Sequence, residues 1–170
     1  LRGDATDTSS VAEVVRGAGA VVNAISPRPS VRGLPAPSMT AAARALMAGL
    51  REAEVRRLLW VGGAGSLEGR PGLALVDLPS FPAAYRSEAL AQREALQLLR
   101  AEAIDLEWTY LSPAAEIVPG ARTGAYRTTG DRLLADAQGR SAITFEDFAV
   151  AVLDELERPA HVRQRFGVAY

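Results

Sequence analysis

The order of its apolar runs constrains this chain most: short strand-like stretches alternate with amphipathic helical ones. Ala20-Val21-Val22-Asn23-Ala24-Ile25, Leu58-Leu59-Trp60-Val61 and Leu106-Glu107-Trp108-Thr109-Tyr110-Leu111 are nearly continuous apolar runs. Such runs are typical of strands covered on both faces. Between the first two, a helix from about Ser38 places Ala43, Leu46, Met47 and Leu50 at i, i+3, i+4, i+7 spacing. Between the second and third, a longer helix from about Pro82 to Arg100 places Ala91, Ala95, Leu98 and Leu99 on one face. Strand, helix, strand, helix, strand implies right-handed crossovers and a parallel sheet. The expected fold class is therefore α/β, with the Asn23, Trp60 and Trp108 strands adjacent and helices on both faces.

The flanking segments are less regular. Ser10-Val11-Ala12-Glu13 reads as a capping box for a short helix ending at Gly17 or Gly19. Pro27 to Pro37 is a loop rich in Pro, Gly, Arg and Ser, and Asp77 to Tyr85 is a loop with two prolines. The last third changes character. Short segments from Tyr126 to Ile143 are punctuated by Gly130-Asp131 and Gly139. Thr144 then caps a helix with Phe145, Phe148, Ala149, Val152, Leu153 and Leu156 on one stripe. After Pro159, residues Val162, Gln164, Phe166, Val168 and Tyr170 alternate with Arg163 and Arg165. This reads as a final strand at the sheet edge with its arginines on a solvated face. At 170 residues without repeat or linker, a single domain over 1–170 is expected, with 115–170 as its C-terminal α+β region.

Composition excludes several chemistries. Net charge is −1, so nothing electrostatic favours nucleic acid or an anionic membrane. No apolar run spans a bilayer and no signal peptide is visible. There is no cysteine, which rules out disulfides, thiolate catalysis and Cys-ligated zinc and fits a cytoplasmic location. All 19 basic residues are arginine. Without lysine the chain has no Schiff-base residue, no P-loop lysine and no partner to depress a tyrosine's pKa. No carboxylate–histidine cluster points to a metal.

In open α/β sheets, ligands bind at the carboxyl ends of strands. Three such ends carry suggestive residues: Asn23-Ala24-Ile25-Ser26, where small side chains admit a ring; Gly62-Gly63-Ala64-Gly65-Ser66, where glycines permit positive φ and close contact; and Ser112-Pro113-Ala114. The glycine cluster has neither P-loop nor dinucleotide-fingerprint spacing. Ser66 is a candidate nucleophile whose base would have to be His161, the only histidine, which reads better as a solvent-exposed or structurally bonded side chain. Glu146 and Asp147 open a helix and read as dipole-complementing carboxylates. Arg163 and Arg165 are candidate anion ligands on an otherwise solvated face.

Five motifs occur in an informative order: Gly3-Asp4-Ala5-Thr6-Asp7; Val21-Val22-Asn23-Ala24-Ile25; Trp60-Val61-Gly62-Gly63-Ala64-Gly65-Ser66; Trp108-Thr109-Tyr110-Leu111-Ser112-Pro113-Ala114; and Ile143-Thr144-Phe145-Glu146-Asp147-Phe148-Ala149. Together they resemble the atypical short-chain dehydrogenase/reductase superfamily, in its NmrA-like NAD(P)H-binding branch, across essentially the whole chain. The resemblance implies a Rossmann-like doubly wound sheet with NAD or NADP as cofactor. Leu1-Arg2-Gly3-Asp4 then looks like the end of the family's third strand. The first two βα units, about 40 residues with the glycine loop, would be lacking. By resemblance, Asp4 and Ala5 sit at the adenine and Asn23, Ala24 and Ile25 line the pyrophosphate and ribose. Gly62, Gly63 and Ala64 border the nicotinamide, and Ser112, Pro113 and Ala114 close its other side. The family's Tyr-x-x-x-Lys is not matched. Tyr85 stands near the right place, but its fourth-on residue is Ala89, which makes it a weak candidate acid.

Three functions remain open from the sequence. One is an NAD(P)H-dependent reductase of a small flavin, quinone or carbonyl-like acceptor. Another is a non-catalytic dinucleotide sensor or partner-binding module. The third is a fragment that binds NAD(P)H weakly because the pyrophosphate-anchoring loop is not among these residues. The expected partner is a small molecule, with oligomeric state left open.

Overall fold

A computed structural model describes residues 1–28 and 38–170. The expected Pro27–Pro37 loop therefore lies, from residue 29 onward, outside the described residues.

The chain opens without a strand at Leu1–Asp4 and enters α1 (Thr8–Val15). Asp7, not Ser10, caps this helix: its carboxylate accepts from the Ser10 N–H at 2.7 Å. The Ser10 hydroxyl instead accepts from the Asp4 N–H, also at 2.7 Å. The alternation expected from the sequence follows as β1 (Val21–Asn23), α2 (Met39–Glu52), β2 (Arg57–Val61), α3 (Ala83–Glu102) and β5 (Glu107–Ser112). A small hairpin of β3 (Glu68–Arg70) and β4 (Leu73–Ala74) sits between β2 and α3. The last third adds β6 (Glu116–Val118), β7 (Arg127–Thr129), β8 (Ala142–Thr144), α4 (Phe145–Glu157) and β9 (Gln164–Ala169).

The main sheet has the order β1-β2-β5-β9-β7. Its first four strands are parallel and β7 is antiparallel to β9. β6 and β8 pair in parallel as a separate ribbon. Strand alternation sends Leu58, Trp60, Trp108 and Tyr110 into one core with α1, α2 and α3. Leu59, Leu111, Phe166 and Val168 face a second core under α4. Among the described residues, no helix is long and apolar enough to cross a membrane.

Three expectations are corrected. β1 is not covered on both faces: Val22 is 42% exposed, because the α4 core does not reach that far across the sheet. β9 is not an edge strand. It lies between β5 and β7, and Arg165 to Ala169 are buried. In α4, Phe145 and Leu153 are more than half exposed, while Asp147, Phe148, Ala151 and Glu155 face inward. The helix is rotated so that two acids enter the core side, each met by hydrogen-bond donors.

Candidate functional site

Parallel pairing brings the carboxyl ends of β1, β2 and β5 to one edge, with Asn23 in register with Trp60 and Trp60 with Tyr110. At about 4.8 Å per strand, the ends of β1 and β5 lie about 10 Å apart across β2. Asn23 is buried. Its side-chain oxygen accepts from the Ile25 N–H at 3.4 Å, while its Nδ2 has no partner among the described residues. Ser112 is fully buried, and its Oγ likewise lacks a partner. Buried polar groups are normally paired, so two orphans at one sheet edge mark a place where something polar belongs.

Between them runs the glycine turn. The Gly62 N–H donates to Leu111 O at 2.9 Å, which extends β2 beyond Val61. A Cβ on Gly62 would lie 2.1 Å from the Tyr110 ring, and one on Gly65 would lie 2.6 Å from Ala89 Cβ. Both glycines are therefore required by close packing. Positive φ is not used: Gly63 is extended at φ −125°. Gly63 also differs in its surroundings, since the nearest atom to an added Cβ is Gln92 at 3.8 Å. Under the turn, Gln92 of α3 accepts from Trp60 Nε1 and, through its backbone carbonyl, from the Tyr110 hydroxyl, both at 3.0 Å. Burial pushes the Tyr110 phenol well above its ordinary range, and its bond to the Gln92 carbonyl braces the edge.

Arg165 is another residue misread in sequence. Its side chain is 4% exposed and its Nε donates to Asp131 Oδ1 at 2.8 Å. Its Nη1 donates to Ser66 Oγ at 3.1 Å. It braces the glycine turn from β9 and offers no open anion site. Ser66 does not meet His161. That ring lies at the amino end of β9, with Nδ1 at 2.8 Å from Glu155 Oε2, stacked on Phe166 at 4.1 Å between centroids. Of the solvent-exposed and structurally bonded readings of His161, the structure shows the bonded one.

The rim carries the remaining candidates. Asp4 and Ala5 lie just before α1. Hydrogen bonds from the Thr6 hydroxyl and N–H, 2.7 and 2.8 Å, hold the Asp4 carboxyl below its usual range. Ala24 is exposed, Ile25 and Ala64 are half-buried, and Pro113 is buried. Ala114 packs in the α4 core with Leu59 and Leu111. Tyr85 is in the first turn of α3, 53% exposed, with the Arg28 guanidinium 5.7 Å from its ring centroid.

Beyond β5, Asp147 straps down the following loop. Its carboxylate accepts from the N–H groups of Thr123 and Gly124 at 2.8 and 2.7 Å. It also accepts from the hydroxyls of Thr123 and Tyr170, both at 2.6 Å. Those hydroxyl bonds, Thr123 first, hold it well below the usual carboxylate range against the effect of burial. The sequence signal was the third position after the Thr144 cap, where an acid's dipole role hid this one. Among the described residues, no group of three or more His, Cys, Asp or Glu side chains could hold a metal.

Residues 1–159 match the family described as NAD(P)H-binding. The chain belongs to that family. NAD(P)H is thus its cofactor class, and the parallel sheet is the family's Rossmann-like scaffold. YwnB of Bacillus subtilis is 42% identical over 160 residues, covering 92% of this chain and 73% of the relative. The structure called "Putative exported protein" from Burkholderia pseudomallei is 43% identical, with a TM-score of 0.88 over 99% of this chain and 79% of its own. A "putative NADH-flavin reductase" from Streptococcus pneumoniae is 29% identical, with a TM-score of 0.82 over 99% of this chain and 79% of its own.

Proposed function

We propose that this family member is an NAD(P)H-dependent reductase of a small flavin, quinone or carbonyl-like acceptor, with the cofactor along the carboxyl edge of β1, β2 and β5. The observation that carries this reading is the pair of orphaned groups, Asn23 Nδ2 and Ser112 Oγ, on either side of Gly63. In it, Asn23, Ala24 and Ile25 hold the pyrophosphate and ribose side, and Asp4 and Ala5 the adenine end. Gly62, Gly63 and Ala64 border the nicotinamide, with Ser112, Pro113 and Ala114 opposite. When bound, NAD(P)H would supply a hydride to the acceptor, with one proton taken from solvent to complete the two-electron reduction. The residues of this chain orient the two partners and exclude water, which suffices for hydride transfer without a protein acid. The name of the S. pneumoniae neighbour supports an acceptor of flavin type.

Reduced-nicotinamide fluorescence tests the binding and absorbance tests turnover, with FMN, a benzoquinone and an aldehyde as acceptors. Asn23→Ala and Ser112→Ala are expected to weaken NADPH binding about tenfold each, on the worth of a buried hydrogen bond. NADPH binding unaffected by both variants would remove the site. One observation favours a second reading as a dinucleotide sensor: Ala89 occupies the fourth place after Tyr85, in a chain without lysine. Binding without turnover of any of the three acceptors would select it.

A further inference from the structure

We infer that Arg28 and Tyr85 form the acceptor-recognition element of this edge: Tyr85 is the stacking platform for a planar aromatic acceptor, and Arg28 the partner of an anionic group on it. The inference rests on the reductase reading and deepens it.

Placement comes first. Gln92 of α3 lies against Gly63, and Ala89 lies against Gly65. Tyr85 is four residues nearer the helix start than Ala89, so it stands about 6 Å further out along the axis, above the glycine turn. Arg28 arrives from the neighbouring strand, five residues beyond Asn23. Its Nε donates to Glu88 at 2.6 Å while its guanidinium covers the Tyr85 ring. The extension of β1, on the proposed pyrophosphate and ribose side, and the start of α3, beside the glycine turn at the proposed nicotinamide border, thus converge on one spot.

The chemistry of that spot is specific. A guanidinium beside an exposed ring offers a flat π face and a planar donor fork, the pairing that suits a conjugated ring bearing a phosphate or carboxylate. The Arg28 side chain is 60% exposed, so its ion pair with Glu88 contributes little to stability and exchanges readily for a ligand's anion. Arg86, the next arginine on α3, shows the contrast. It donates to the Val76 carbonyl at 2.7 Å and is committed to the fold. Nor is the Tyr85 hydroxyl the working group. Ala89 stands where the family's lysine would lower its pKa, so the ring, not the acid, is what this position offers.

FMN and riboflavin share one ring system and differ by a phosphate, which separates the two roles. Both are titrated into the chain by flavin fluorescence, with and without NADP+. The wild-type chain binds FMN more tightly than riboflavin. R28A lowers FMN affinity about tenfold and leaves riboflavin unchanged, so the preference disappears. Y85A weakens both flavins about tenfold, and Y85F restores what Y85A loses. A preference for FMN that survives in R28A, or flavin affinity that survives in Y85A, overturns the inference. So does an R28A variant that loses NADP+ affinity but keeps the flavin preference, which would assign Arg28 to the cofactor. NADPH binding with no flavin binding would overturn this inference alone, whereas failure of a chain extended upstream by the glycine-loop segment to bind NADPH would overturn the reductase reading.

Discussion

A methyl group added at Gly62 would fall 2.1 Å from the Tyr110 ring; one added at Gly63 would meet nothing nearer than 3.8 Å. Two adjacent glycines thus have different reasons to be glycine. Gly62→Ala must displace Tyr110 and its bond to Gln92, and is expected to cost about 1–3 kcal/mol by overpacking, read from the urea midpoint. Gly63→Ala should leave that midpoint within about 0.5 kcal/mol while lowering NADPH affinity, because its Cβ makes only ordinary contact with Gln92 and adds bulk at the proposed nicotinamide border. A stable Gly63→Ala protein with unchanged NADPH affinity would place the cofactor elsewhere. The sequence showed that glycines cluster here but could not tell them apart. Their difference depends on Tyr110, nearly fifty positions away in the chain.

At the scale of elements, α4 shows where sequence patterning works and where it fails. Thr144 was legible as a cap, and its hydroxyl does accept from the Asp147 N–H at 3.1 Å. Phe148 was legible as core and is 9% exposed, so Phe148→Ala is expected to cost about 3–5 kcal/mol in chemical denaturation. The face was misjudged because Asp147 and Glu155 count as surface residues in any apolar pattern, while Phe145 and Leu153 count as core. Donors distant in sequence bring both acids inward: Thr123, Gly124 and Tyr170 for Asp147, and Arg57 and Thr109 for Glu155. β2 and β5 were readable because a buried parallel strand is apolar in its own right, and β1 shares that apolar pattern although Val22 is exposed. Arg165 was not, since its burial depends on Asp131 and Ser66. Asp147 also sets an acid limit. Its pKa is depressed in the fold, so its contribution is present above the unfolded carboxylate value of about 4 and is lost as pH falls toward the folded value. Thermal midpoints should therefore fall below about pH 4. Asp147→Asn should be less stable at neutral pH and show a shallower acid decline; an identical decline would assign the acid limit to other carboxylates.

Across the whole molecule, Arg57 and Glu155 join parts of the chain far apart in sequence. The two side chains are 8% and 3% exposed and meet at 3.1 Å, with Arg57 also bonded to the Thr109 hydroxyl at 2.7 Å. Glu155 receives the His161 N–H at 3.0 Å as well. Arg57→Met should cost about 3–5 kcal/mol, since it leaves a buried carboxylate without its cation. The double variant with Glu155→Leu should recover much of that loss, which urea denaturation of the three proteins would show.

The inner position of β9 also bears on how the molecule assembles. Among the described residues, β7 has no hydrogen-bonded neighbour in the main sheet except β9, and β9 pairs with β5 on its other side. Topology thus makes the segment C-terminal to α4 the link through which β7 joins the sheet. That step joins strands separated by a long stretch of chain, and such non-local closures are slow. While it is pending, the edge of β5 and the apolar underside of α4 stay open, which is when this protein is most exposed to mispairing with its own copies.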